Sequence, residues 1–311
     1  MTSQQYFLAS DENNSSQTEE EPERSQSRIS ELLSNTPFAT LFTVFLCTVV
    51  FVLQSVTILP TATLCAYNVV YLGEWYRLLS SGLSHADIVH LAMNMTSAAA
   101  LGAKVERTVG SLALSAAVTW SLVLTSCVHV AFSALASVVL RSEAPMYARS
   151  LGFSAVLFHL ATLEANVDVR PTRAVFGMAV PTRLYPHVLL LVIQIFFPHV
   201  SFLGHLSGIV VGYMHFYGFL CPVLPSRHFL LRLEESRAIS FCTRNPHCKY
   251  IPVPENSMFA ERKCGCQVSE NGNFAFVYIL RDICGGIFLY LRRRMGQDNE
   301  EPNDLDGTVI V

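Results

Sequence analysis

Charge is scarce in this sequence. Only 14% of its 311 residues are Asp, Glu, Lys or Arg, against about 25% in an ordinary soluble domain. Three stretches, positions 38–73, 108–140 and 184–226, contain none at all. A soluble core of this size does not require such runs, whereas roughly 20 apolar residues suffice to cross bilayer hydrocarbon. The net charge of −3 is too small to argue for nucleic acid or another strongly charged partner. No long apolar run precedes position 38, so a cleavable signal peptide of the usual kind is not expected.

What is present is apolar: 51% of the residues are hydrophobic. The pattern predicts an all-α polytopic membrane protein in three parts. Positions 1–37 are polar, Ser-rich and acidic, too poor in apolar surface to offset chain entropy, and read as a disordered cytoplasmic tail. Positions 38–224 hold six expected spans, at about 38–59, 85–103, within 110–140, 151–163 with its flanks, and two in 184–224 divided at Pro198. Positions 225–311 form a second cytoplasmic tail. Ten Lys and Arg residues, from Arg24 to Arg237, fall on one side of this layout and three (Arg77, Arg141 and Arg149) on the other. The positive-inside rule then places both termini in the cytoplasm.

That orientation levels four polar residues near the lumenal or extracellular face: His90 and Asn94 on the second span, Ser154 on the fourth and His205 on the sixth. Ionisable groups inside a membrane are costly and usually face a bundle interior or a water-filled cavity. Peptide hydrolysis needs a hydroxyl activated by a base and donors aimed at the oxyanion. Ser154 and His205 are the candidate nucleophile and base. His90 and Asn94, four apart and so on one helix face, are the candidate oxyanion donors. Each piece has a bland alternative: a membrane serine bonding its own backbone, or His and Asn as interhelical glue. The constellation is stronger than its members.

The residues resemble the rhomboid family of intramembrane serine proteases. Glu74-Trp75-Tyr76-Arg77 is similar to its first-loop Trp-Arg signature, and His90-Leu91-Ala92-Met93-Asn94 to its His-x-x-x-Asn. Gly102-Ala103-Lys104-Val105-Glu106-Arg107 with Gly110-Ser111 resembles its cytoplasmic turn. Gly152-Phe153-Ser154-Ala155 is similar to the nucleophile motif, and His205-Leu206-Ser207-Gly208 with Gly212 to the His-x-x-Gly-x-x-x-Gly helix. The resemblance implies a six-transmembrane-helix rhomboid core with a Ser154–His205 dyad that needs neither cofactor nor metal. It also implies an oxyanion hole of His90, Asn94 and the Ser154 N–H. Structural roles are implied for Trp75, Arg77, Glu106, Arg107 and Gly152, and for Gly208 and Gly212 in close packing of the sixth span on the fourth. Substrates would be single-span membrane proteins. The likeness is greatest to the endoplasmic-reticulum subgroup, which implies that organelle and degradation-pathway partners.

The tail carries Cys242, Cys248, Cys264 and Cys266 in a spacing unlike a standard zinc finger, and inert reduced thiols are the favoured reading. Positions 274–291 predict a membrane-surface helix. Two rivals remain at this stage. A non-catalytic rhomboid-like protein binding membrane clients for quality control would typically lack the Ser or the His. A small transporter would show paired charges near mid-bilayer.

Overall fold

A computed structural model describes residues 35–254 apart from positions 176, 222, 246 and 247. The acidic tail up to position 34, Cys264, Cys266 and the stretch 274–291 lie outside the described residues. In chain order the elements are α1 (Phe38–Ser55), β1 (Leu64–Cys65), α2 (Ala66–Tyr71), α3 (Arg77–Ser80), α4 (Ile88–Val109), α5 (Ser111–Leu140) and α6 (Ala144–Tyr147). They are followed by β2 (Arg149–Ser150), α7 (Ser154–Val167), β3 (Thr172–Val175), β4 (Met178–Pro181), α8 (Tyr185–Phe196), α9 (Phe202–Phe216), α10 (Arg227–Glu234) and α11 (Arg237–Arg244).

Helices α1 and α5 are long and apolar enough to cross a membrane. Large apolar side chains face outward on several helices, among them Phe42 and Phe45 of α1, Val139 and Leu140 of α5, and Leu191 and Ile195 of α8. An apolar exterior of this extent marks a membrane or partner surface. Inside, Cys47 of α1, Leu91 and Met95 of α4, Leu114, Val118 and Leu122 of α5, and Val156 and Leu160 of α7 form the largest core cluster.

Helix ends follow from local chemistry. Asp87, expected as a charge within the second span, instead caps α4 from just outside it, accepting from the His90 N–H at 2.8 Å. The helix starts three residues later than the expected segment because Asp favours an N-cap over a helix interior. Ser201 caps α9 in the same way through the Gly204 N–H. Phe196 ends α8 two residues before Pro198, as a proline's missing N–H and ring clash require.

Helix α1 has no side-chain cap of its own. Its first free N–H groups, on Ala39 and Thr40, donate to the two carboxylate oxygens of Glu106 at 2.8 Å each. The Thr40 hydroxyl donates to the same carboxylate at 2.7 Å and the Ser111 hydroxyl at 2.6 Å. Glu106 is fully buried, and its charge also suits the positive end of the α1 dipole. Arg107 reaches the Asn35 carbonyl at 2.7 Å. Both residues therefore tie the α4–α5 turn to the start of α1. We predict that Glu106→Gln, which keeps the shape but turns one acceptor into a donor, costs about 1–3 kcal/mol. Thermal unfolding in detergent would show it as a lower midpoint, and an unchanged midpoint would count against the hub.

Two further features depart from the sequence-based expectation. The connection after α7 forms an antiparallel β3–β4 hairpin, tied down by a cluster of Lys104, Glu164, Asp168, Arg170 and Arg173. Hydrogen bonds from Arg170 above all hold the Asp168 carboxyl well below the usual carboxylate range. Trp75, in the first loop, is 57% exposed. The boundary near position 225 also moves: residues up to 254 pack back on the domain. The Ser111 N–H donates to the Ile251 carbonyl at 2.8 Å and the Ile251 N–H to the Ser111 hydroxyl at 2.9 Å. Backbone pairing of this kind needs no sequence signature, so the motifs could not show it.

Candidate active site

Ser154 opens α7, directly after Phe153, with Gly152 at φ +110° preceding it. The first N–H groups of a helix have no intrahelical acceptor, so the Ser154 hydroxyl sits beside its own unspent backbone donor. The Gly152 N–H is held by the Ser81 carbonyl at 3.0 Å. Only glycine fits there, on two counts. Its φ is left-handed, and a Cβ would lie 2.6 Å from His90 Cε1 and 2.7 Å from His90 Nε2.

His205, in the first turn of α9, places Nε2 2.9 Å from Ser154 Oγ. The ring is buried and lies against Phe158, with centroids 4.7 Å apart. Its Nδ1 has no hydrogen-bond partner among the described residues. The pair is therefore a dyad with no acid orienting the imidazole, and packing against Phe158 holds the ring instead. Phe158 was not singled out in the sequence. Its signal was spacing, since it lies four residues after Ser154 and so on the same helix face.

The dyad is short because α7 and α9 almost touch. Gly208 lies on the Ala155 carbonyl, where a Cβ would overlap the oxygen, and Gly212 lies on Thr162. Buried Asn94 on α4 has an Nδ2 with no partner among the described residues, 3.5 Å from where a Cβ of Gly152 would be. The structure thus brings together Ser154, His205, His90, Asn94 and Gly152, with Gly208 and Gly212 setting the separation. Arg77 lies in the first loop, where Nε meets Glu74 at 2.5 Å and Nη1 donates to the Thr63 carbonyl at 2.8 Å. The Arg77 hydrogen bond is the main reason the Glu74 carboxyl is held low.

Against Gly152 and Ala155 lies a cavity of about 30 Å³, lined by the polar Ser81, Thr125, His129 and Ser150 and by apolar Leu64, Leu122 and Val156. A polar cavity of roughly 10–15 Å³ or more can hold a water. The Ser81 and Thr125 hydroxyls donate to the Arg77 and Ser121 carbonyls, which leaves their oxygens free to accept from such a water. The hydroxyls of this lining, Ser81, Thr125 and Ser150, were not singled out in the sequence, because small hydroxyls carry no pattern. Among the described residues no group of three or more His, Cys, Asp or Glu is placed to hold a metal ion.

Comparison with known proteins bears on the family. Residues 72–221, just under half of the chain, match the family model of the Rhomboid domain, so the chain carries a rhomboid domain. Rhomboid-like protein 15 of Arabidopsis thaliana is 28% identical over 71% of this chain and 56% of its own. Human Rhomboid-related protein 4 is 37% identical over 49% of this chain and 48% of its own. Rhomboid-type serine protease 2 of Gibberella zeae is 28% identical over 52% and 59%. The chain spans about half the length of the curated relatives it matches.

Proposed function

We propose that this chain is an intramembrane serine endopeptidase that hydrolyses peptide bonds in or near the transmembrane segments of single-span membrane proteins. The observation that carries the reading is the 2.9 Å contact between His205 Nε2 and Ser154 Oγ at the start of two adjacent helices, with the unspent Asn94 Nδ2 beside Gly152. In this reading His205 Nε2 accepts the hydroxyl proton as Ser154 Oγ attacks the scissile carbonyl. The oxyanion takes hydrogen bonds from Asn94, His90 and the Ser154 N–H. His205 then protonates the leaving amine, and a water drawn from the cavity against Gly152 and Ala155 hydrolyses the acyl-enzyme by the same steps.

The proposal includes a six-span core with both termini in the cytoplasm. Helices α7 and α9 have 14 and 15 residues, about 21–23 Å at 1.5 Å per residue, less than the roughly 30 Å of hydrocarbon. In a membrane their first turns therefore start below the surface. That leaves a depression in which water can reach a dyad at membrane depth. We also propose residence in the endoplasmic reticulum and degradation-pathway partners, which rest on the sequence resemblance.

Labelling by a fluorophosphonate or isocoumarin probe in membranes tests the reading. Wild-type chain is expected to take the label at Ser154 and Ser154→Ala none. A folded wild type that takes no label would instead fit a client-binding protein without catalysis. Asn94→Ala is expected to lower the cleavage rate about 10²–10³-fold without abolishing it, the usual loss for one oxyanion donor; a rate equal to wild type in a reconstituted cleavage assay would remove Asn94 from the hole.

A further inference from the structure

We propose that α10 and α11 form a docking face for anionic phospholipid headgroups. The inference rests on the chain being a membrane protein and not on its catalysis.

Placement comes first. The segment carrying the two helices is fastened to the starts of α1 and α5, which among the described residues are the helices long and apolar enough to cross a membrane. The Phe38 N–H, at the first residue of α1, donates to the Lys249 carbonyl at 3.3 Å. Ser111, the first residue of α5, exchanges two hydrogen bonds with Ile251. The Tyr250 hydroxyl donates to Glu234 at 2.6 Å and the Val253 N–H to the same oxygen at 3.0 Å. The segment is thus held level with the point where α1 and α5 begin, which is headgroup depth for a spanning helix.

Composition comes second. Positions 226–254 carry five Lys and Arg residues against Glu234 and Glu235. Glu234 is taken up internally by Tyr250 and Val253, so Glu235 is the acid left exposed on these helices. Arg232, Arg237, Arg244 and Lys249 are all exposed. On α11, Arg237, Phe241 and Arg244 follow at i, i+4 and i+7 and share one face, and Phe241 is 69% exposed. On α10, Phe229 is exposed beside Arg232 and His228. Exposed aromatic rings between arginines, at the membrane end of apolar helices, fit an interface with acidic headgroups above acyl chains. An acidic soluble partner would use the arginines but gives no role to the phenylalanines.

The test uses the full chain reconstituted in phosphatidylcholine with spin-labelled phosphatidylserine or spin-labelled phosphatidylcholine, reading the selectivity of the protein-bound lipid by electron paramagnetic resonance. Wild type is expected to prefer phosphatidylserine several-fold. Arg232→Gln/Arg237→Gln/Arg244→Gln is expected to lose the preference, and Arg232→Lys/Arg237→Lys/Arg244→Lys to keep it, since charge is what is read. Ser154→Ala is expected to match wild type, which separates this outcome from failure of the protease reading. Equal preference in wild type and the Gln variant overturns the proposal. So does loss of the preference with inorganic phosphate at constant ionic strength, the mark of a small-anion site. A preference that emerges only after removal of residues 1–34 overturns it too, because the chain's own acidic segment would then be the occupant.

Discussion

Ser154→Ala and His205→Ala are each expected to reduce cleavage of a co-reconstituted single-span substrate by about 10⁴-fold or more, with the protein still folded. The magnitude follows from how a nucleophile and its base work. A serine hydroxyl without a base is a poor nucleophile, and an imidazole without the hydroxyl has nothing to activate. What survives in each variant is binding and oxyanion stabilisation, which keep only a small part of the rate. The two losses should not add, since either change removes the same step. The double variant is therefore expected to match the worse single one. His205 Nδ1 has no acid partner among the described residues, so the loss is not divided with a third residue. If either single variant cleaves at the parental rate, the dyad assignment is wrong, however short the contact.

The second large effect is expected at a residue with no chemistry. A Cβ at Gly208 would overlap the Ala155 carbonyl oxygen and lie 2.8 Å from the Phe158 Cβ. The oxygen belongs to the α7 backbone and cannot rotate away, so Gly208→Ala must push α9 off α7. Overpacking of this kind costs about 1–3 kcal/mol, occasionally more. The catalytic cost should be larger. His205 lies one turn before Gly208 and Ser154 is the neighbour of Ala155, so the displacement opens the dyad directly. A misplacement of about 1 Å can cost 10²-fold in rate. We expect a graded series in which Ala is poor and Val is inactive, with probe labelling at Ser154 falling in parallel with cleavage. Full activity in Gly208→Ala would mean that something other than this close approach sets the Ser–His distance.

These two expectations differ in how legible their residues were. Ser154 and His205 could be singled out because polar residues are conspicuous in apolar helices and because their spacing resembles a family pattern. Asp87 was legible as a charge but misplaced within a span, since capping is decided by where the backbone turns, and that turn has no apolar period. The fold-back of positions 248–254 left no trace at all, being made by backbone groups of Lys249 and Ile251 that every residue carries. The cavity lining was silent for a related reason. Ser81, Thr125 and Ser150 are ordinary hydroxyls whose common orientation exists only once α3, α5 and β2 are packed.

By itself the sequence determined the apolar character, the helical stretches with their proline break, the rhomboid resemblance and the identity of the residues able to do acyl transfer. Those properties are local: they reside in residue type and in spacing along one helix. Only the tertiary structure decided that His205 stands 2.9 Å from Ser154, that Gly152 clears His90, and that Glu106 caps a helix 66 residues away in the chain. A reacting distance between residues 51 positions apart depends on how closely two helix backbones approach. That approach is set by side chains absent at Gly208 and Gly212, which no single helix can report about its neighbour.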